Sequence, residues 1–375
     1  MDTVTQFAYH TLQQTTAAFS LAHKQLANQV AQAIYAPMRR IASPTDRHSP
    51  SSPTPQPLPD GALMQVNARR EKLHTIDLED ADRGVYPASL LFDRPWFDAI
   101  ATYPRIWLDL PKTWDRRDRR AYQEFDSTID TDGYPKYYLQ NFHYQTDGYL
   151  SESSADLYDL QVEILFSGSA DAMRRRILAP LKAGLDRLTA TSPTIPQAIR
   201  ILDLATGTGR TLRCLRSMLP KAQLFGVDLS PAYLRKANTL LSELPGELPQ
   251  LCQANIEDLP YRDAYFHGVS CVFTLHELPG EARQQAIASA YRVLKPGGTL
   301  VICDSIQQGD VPIMDVMLDN FPVVFHEPYH GDYARDDIEA RLESAGFEVL
   351  EIYDYFASKY WVARKPESAD LAITG

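Results

Sequence analysis

Cysteine is scarce in this chain: four residues among 375, Cys214, Cys252, Cys271 and Cys303, with no C-x-x-C pair. Such isolated thiols exclude a disulfide framework and a zinc knuckle and fit reduced, packed side chains. Positive charge is also in deficit. Thirty-seven Lys and Arg stand against 48 Asp and Glu, a formal charge of -11, which opposes the long-range attraction that a polyphosphate partner requires. Nucleic acid is therefore not expected as substrate or partner. No apolar run approaches the ~18 residues of a transmembrane segment, and the N-terminus lacks the basic-then-apolar order of a secretory signal. The expected compartment is the cytoplasm. No internal repeat breaks the chain into units.

What is present divides into five stretches. Residues 3–35 are rich in Ala, Gln and Leu, with Leu12, Phe19, Leu26 and Val30 at near-heptad spacing, and within an N-terminal stretch 1–42 they read as one amphipathic helix. With Met38-Arg39-Arg40 following, this helix either makes peripheral contact with a membrane or partner or packs on the protein itself. Residues 43–61 hold prolines at 44, 50, 53, 55, 57 and 59 among Ser and Thr and read as a linker. Residues 62–169 read as helical and aromatic-rich. From 170 to 366 short apolar runs (199–205, 223–228, 250–254, 266–273, 299–304) alternate with helical stretches (211–218, 231–241, 281–294), the signature of a parallel sheet covered by helices on both faces. A helix over 335–345 and two closely spaced strands, 347–353 and 359–364, end the unit in an antiparallel hairpin. Residues 367–375 are a tail.

The chemistry concentrates at the end of the first run. Ile201-Leu202-Asp203-Leu204-Ala205-Thr206-Gly207-Thr208-Gly209 is a buried strand entering a glycine turn that opens a helix, where backbone amides approach a ligand closely. Val227-Asp228 ends the next run about 20 residues on, where a carboxylate can accept bonds from both hydroxyls of a ribose. A nucleoside-containing ligand follows. The dinucleotide fingerprint requires a third glycine at position 212, where this chain has Leu212, so an NAD-dependent oxidoreductase is the weaker alternative. Tyr291 and Lys295 spell a dehydrogenase pair, but they close a helix before Pro296-Gly297-Gly298, where a lysine suits the C-terminal dipole.

Asp203 to Gly209, Gly226-Val227-Asp228-Leu229-Ser230, Glu257-Asp258-Leu259-Pro260-Tyr261 and Arg292-Val293-Leu294-Lys295-Pro296-Gly297-Gly298 resemble, in order, the motifs of class I S-adenosylmethionine-dependent methyltransferases of the ubiquinone/menaquinone biosynthesis type (methyltransferase type 11). The resemblance covers about residues 170–366. It implies an α/β, Rossmann-like fold, a seven-stranded mostly parallel sheet ordered 3-2-1-4-5-7-6 and flanked by helices, with S-adenosyl-L-methionine across the ends of strands 1, 2 and 4. One departure is Ala205-Thr206, where the family more often has Gly-Cys. Carried over, Asp203, Ala205, Thr206, Gly207 and Gly209 lie by the amino-acid part of the cofactor, Asp228 holds the ribose, and Leu229, Asn255, Ile256 and Phe273 surround adenine and the reacting end. Arg210 and the run Arg174-Arg175-Arg176 are candidates to neutralise the methionyl carboxylate, although a run of arginines ordinarily marks a solvated helix face, the reading favoured for at least two of the three.

The resemblance also implies methyl transfer to a small organic acceptor, apolar or aromatic. His276 leaves the fourth strand at the methyl-bearing edge and has the pKa range of a general base. Residues 134–166, with eight aromatics around His143, Gln145 and Asp147, are expected to close over the cofactor mouth and shield it from water, His143 acting there with His276. Tyr138, Tyr144, Gln145, Glu277, His326 and Tyr329 are candidate acceptor contacts. His326-Glu327-Pro328-Tyr329-His330 matches H-E-x-x-H, but Pro328 breaks the helix that the motif requires, and no metal is expected. The alternative from another class is a non-catalytic regulatory protein that binds the same cofactor. A nucleic-acid methyltransferase is disfavoured by the charge and by Cys271-Val272-Phe273-Thr274 where such enzymes carry an Asn/Asp-Pro-Pro-aromatic tetrapeptide.

Overall fold

The computed structural model describes residues 1–35, 55–93 and 96–367. Most of the 43–61 linker, Met38-Arg39-Arg40 and all but the first residue of the 367–375 tail lie outside that range. Seven strands form one sheet: β1 (Arg200–Leu204), β2 (Gln223–Asp228), β3 (Gln250–Gln253), β4 (Phe266–Val272), β5 (Leu294–Ser305), β6 (Glu348–Tyr355) and β7 (Ser358–Arg364), ordered β3-β2-β1-β4-β5-β7-β6. The first five are parallel, and β7 runs antiparallel to both β5 and β6, so the terminal hairpin is as its spacing implies.

Near-continuous apolar runs in β1 and β4 reflect burial on both faces. On one face Leu202, Val269 and Leu300 pack under the helix Gly280–Val293. On the other, Ile201 and Val301 pack under Leu181 and Leu185 of the helix Leu178–Thr191. The strand order reverses between β1 and β4, and in open α/β sheets the crevice beyond the carboxyl ends at such a point is where ligands bind.

The N-terminal helix spans Thr3–Val30, and Asp2 caps it by accepting from the Thr5 amide. Its inward face differs from the expected apolar stripe: Tyr9, Gln13, Thr16, Ser20 and His23 are buried, whereas Leu26 is exposed. Thr16 and Ser20 turn their hydroxyls onto their own helix, donating to the Leu12 and Thr16 carbonyls, and Tyr9, His23 and the neighbouring Lys24 meet polar partners from other elements. Tyr9 donates its hydroxyl to Asp77 at 2.5 Å, His23 Nδ1 meets the Tyr103 hydroxyl at 3.2 Å, and Lys24 donates to the Leu165 carbonyl at 2.9 Å. That face of the helix packs on its own protein. Residues 62–169 are helical as expected over Ala62–Asp82, Trp96–Arg119 and Glu152–Leu165, with an irregular aromatic stretch between the last two.

The arginine run does not form a solvated face. All three are buried: Arg175 grips Asp77 with Nε at 2.9 Å and Nη2 at 2.6 Å, Arg176 pairs with Asp80, and Arg174 pairs with Asp171. Buried arginines persist because each meets a buried carboxylate, and Asp77 and Asp80 come from the distant helix Ala62–Asp82, which the local sequence of the run does not reveal.

Candidate functional site

The turn after β1 is built around two glycines and a carboxylate. Gly207 (φ +56°) and Gly209 (φ +86°) adopt the left-handed backbone, and a Cβ on Gly209 would stand 3.0 Å from Ala237 Cβ, so the turn sits tightly against the helix Pro231–Ser242. Leu212 is fully buried and its Cδ1 lies where a Cβ on Gly226 would come within 2.8 Å. It fills the position of a dinucleotide site's third glycine with packed hydrocarbon. Asp228 closes the turn: one oxygen accepts from the Gly207 amide and the other from the Ser230 amide, both at 2.8 Å. Burial raises its pKa to about 6 despite those two amides, so it is largely ionised at neutral pH and each oxygen keeps lone-pair capacity for a further donor.

Asp203 lies one layer below the turn. It does not reach the cavity wall; its oxygens accept from the Ser270 hydroxyl at 2.7 Å and the Thr206 hydroxyl at 2.8 Å beneath the turn. Burial pushes its pKa to about 7. Asp203 holds Thr206, and so the turn, from beneath. Gly209 likewise supports the turn from behind.

A cavity with an empty volume of about 930 Å³, its open mouth included, lies at the β1/β4 switch point. Ala205, Thr206, Gly207, Asp228, Leu229, Asn255, Ile256 and Phe273 all face it. Asn255 uses its carbonyl to accept from the Glu257 amide at 3.0 Å, and Glu257 in turn accepts from the Tyr137 hydroxyl at 2.5 Å, so the loop carrying Asn255 is tied to the aromatic segment. Arg210 and Arg174 also face the cavity, and both share Asp171 as an ion-pair partner. The cradle of glycine turn, carboxylate and flanking apolar side chains fits an adenosine-containing cofactor.

The other end is aromatic. Tyr138, Phe142, Tyr149, Tyr158 and Tyr233 wall it, with Glu277 as the carboxylate among them, accepting from the Tyr149 hydroxyl. The 134–166 segment contributes Tyr137, Tyr138, Phe142, Tyr149 and Tyr158 to the cavity wall; of the individually named candidates at this end, Tyr138 and Glu277 face the cavity, whereas His143 and Tyr144 do not. His143 and Tyr144 turn away from the cavity: His143 sets Nδ1 2.9 Å from Glu327 and Nε2 3.8 Å from Glu277, and Tyr144 packs by His326, ring centroids 5.7 Å apart. His143 (φ 54°) and Tyr144 (φ 58°) are both in the left-handed region without being glycine, a conformation costing about 1–3 kcal/mol each that surrounding structure must enforce.

His276 also stands behind the wall. Its Nδ1 lies 2.5 Å from Asp304 Oδ1, and Asp304 accepts besides from the amides of Thr274, Leu275 and Ser305. Those bonds hold Asp304 below the usual carboxylate range despite its burial, which makes Nδ1 the donor. Burial works against charge on His276, but Asp304 outweighs it and lifts the imidazole to about 9. The same balance, with Glu327 and Glu277 as the carboxylates, lifts His143 to about 10. At neutral pH neither is a free base.

Of the remaining acceptor candidates, Gln145 is buried in the segment's own fold, His326 stacks on Tyr122 at 4.4 Å and donates Nε2 to Gln140, and Tyr329 accepts from Gln140 at 3.2 Å. None of the three faces the cavity. Residues 326–329 are not helical, in keeping with Pro328, and His326 and His330 point to different surroundings. The sequence pattern did not single out Tyr233 or Asp304, carried Phe142, Tyr149 and Tyr158 only as members of the aromatic segment, and carried Glu327 only within the histidine motif; aromatic density and a strand-end aspartate are both common in ordinary cores.

Residues 201–298 match a family profile described as a methyltransferase domain. A ubiquinone/menaquinone biosynthesis C-methyltransferase of Desulfotalea psychrophila is 33% identical over 154 residues, 41% of this chain and 56% of that protein. An arsenite methyltransferase of Halobacterium salinarum is 31% identical over 40% of this chain and 38% of its own length, and an O-methyltransferase of Penicillium expansum is 30% identical over 42% and 55%. The matched region spans about half the length of these relatives, and their names put the methyl group on carbon, arsenic and oxygen.

Proposed function

We propose that this chain, a class I methyltransferase fold with its methyltransferase domain at residues 201–298, transfers a methyl group from S-adenosyl-L-methionine to a small, apolar or aromatic organic acceptor. What carries this reading is one cavity whose one end is glycine turn, Asp228 and Asn255–Ile256 and whose other end is tyrosine, phenylalanine and Glu277. In this reading Asp228 accepts from the ribose hydroxyls, Leu229 and Ile256 sandwich the adenine, and Asn255 offers its carbonyl to the exocyclic amine. Arg210 and Arg174, half neutralised by Asp171, face the carboxylate end.

The cofactor's sulfonium supplies a methyl group already activated for attack, so the protein's task is chiefly to align a nucleophile and exclude water. Tyr138, Phe142 and Tyr149 do the excluding. Glu277 meets the acceptor directly, and His143 and His276 stand behind it within 3.8–3.9 Å as cationic supports. Catalytic involvement of the two histidines is accordingly through Glu277. Incubating the protein with S-adenosylmethionine and fractionated cell extract, followed by mass spectrometry for a +CH2 product, tests the proposal. Cofactor binding without any methylated product in extract from the native source would favour a regulatory protein instead.

A further inference from the structure

Behind the aromatic end of the cavity three ligand-bearing side chains from separate parts of the chain converge. His143 comes from the irregular stretch before the helix Glu152–Leu165, Glu277 from the turn after β4, and Glu327 from the loop after the helix Asp315–Val324. One donor atom of each lies within 4.8 Å of the others. Glu327 is 1% exposed, and neither of its carboxylate oxygens has a hydrogen-bond partner among the described residues. Its contact with His143 Nδ1 at 2.9 Å is an ion pair without hydrogen-bond geometry. The pair offsets the charge of Glu327 but leaves its oxygens without a directed hydrogen bond, and the left-handed backbone at His143 adds strain to deliver the imidazole to the same point.

We propose that His143, Glu277 and Glu327 form a divalent transition-metal site that borders the acceptor end of the cavity. One imidazole and two carboxylates form a nitrogen–oxygen donor set suited to Zn2+, Mn2+ or Fe2+, whereas Mg2+ and Ca2+ prefer all-oxygen surroundings. The ion takes over the positive charge that a proton on His143 otherwise supplies between the carboxylates, and it satisfies the orphaned oxygens of Glu327. His276 is the adjacent nitrogen: its Nε2 lies 3.9 Å from Glu277 Oε1, and its Nδ1 is fixed on Asp304, the carboxylate–histidine arrangement that orients metal-bound imidazoles. Three protein ligands leave coordination positions open, as catalytic rather than closed structural sites do. Because Glu277 also lines the cavity, the substrate class narrows to acceptors carrying an oxygen or nitrogen donor. Only that narrowing rests on the proposed function; the metal site does not.

The test is calorimetric titration of the chelator-treated, full-length protein with Zn2+ and with Mn2+, in the absence of cofactor and acceptor. One equivalent is expected per chain, with affinity reduced at least tenfold in both His143→Ala and Glu327→Gln, while S-adenosylmethionine affinity in each variant stays within about threefold of the parent. Loading the unaltered protein with Co2+ gives a second readout that does not depend on a variant folding: visible d–d bands of nitrogen–oxygen ligation without a thiolate charge-transfer band are expected. Absence of stoichiometric binding to protein that still binds the cofactor, binding unchanged in both variants, or a thiolate band would each overturn the site. Loss of cofactor binding with metal binding retained would instead count against the proposed function alone.

Discussion

Replacing Asp228 by asparagine separates the turn that it holds from the ribose contact proposed for it. The carboxylate accepts from Gly207 and Ser230, one amide on each oxygen at 2.8 Å. Asparagine keeps one acceptor and turns an NH2 towards the other amide, so a buried donor is left unsatisfied at a cost of about 1–3 kcal/mol. In the ligand, charge-assisted bonds from the ribose hydroxyls become neutral or are lost, another ~1.5–3 kcal/mol, or about 10- to 150-fold in the dissociation constant. Thermal unfolding followed by circular dichroism measures the first loss, and calorimetry with S-adenosylmethionine below the melting range measures the second. A variant with native circular dichroism and an unchanged dissociation constant would remove Asp228 from the ribose and refute the placement of the cofactor in this cavity.

The pH dependence has a defined sign, since burial raises the Asp228 pKa to about 6 and the ionised form is the one that accepts from both hydroxyls. Cofactor affinity should fall as the pH drops from 7.5 through 6 to 5; a flat profile in titrations across that range would contradict the role. Tyr149→Phe removes the hydroxyl that donates to Glu277 and should lower turnover by about 1–2 kcal/mol in the barrier with cofactor affinity little changed, as steady-state kinetics and calorimetry would separate. Arg175→Met strands the buried Asp77 and should destabilise the fold by about 3–5 kcal/mol, seen as a lower denaturation midpoint; an unaltered midpoint would mean that Tyr9 and Tyr86, which also donate to Asp77, suffice to hold it.

Strand positions were legible because apolar runs buried on both faces need no partner to be recognised, and β1, β2 and β4 lie within two residues of where those runs end. The sheet order was accessible only through resemblance. Where local pattern failed, a distant partner decided. The arginines at 174–176 look solvent-facing until Asp77, Asp80 and Asp171 are brought to them. The inward face of the first helix carries Thr16 and Ser20, whose hydroxyls donate to their own helix carbonyls, and His23, which meets the Tyr103 hydroxyl. Asp203 sits in the middle of the most informative motif, yet its carboxylate is spent on Ser270 and Thr206 beneath the turn. His276 and His143 carry suitable chemistry for a base, but each is claimed by a carboxylate from elsewhere in the chain. Glu327 was visible only inside a histidine motif that Pro328 rightly disqualified as a helix, and its meeting with His143 is a property of the fold.

Leu212 packs over Gly226 where a third glycine would otherwise stand, which favours S-adenosylmethionine over a dinucleotide at the turn after β1. Parallel calorimetric titrations of the purified protein with S-adenosylmethionine, S-adenosylhomocysteine and NAD test it directly. One-to-one binding of the first two and no measurable heat from NAD is the predicted result; saturable NAD binding with none for either adenosyl compound would contradict it.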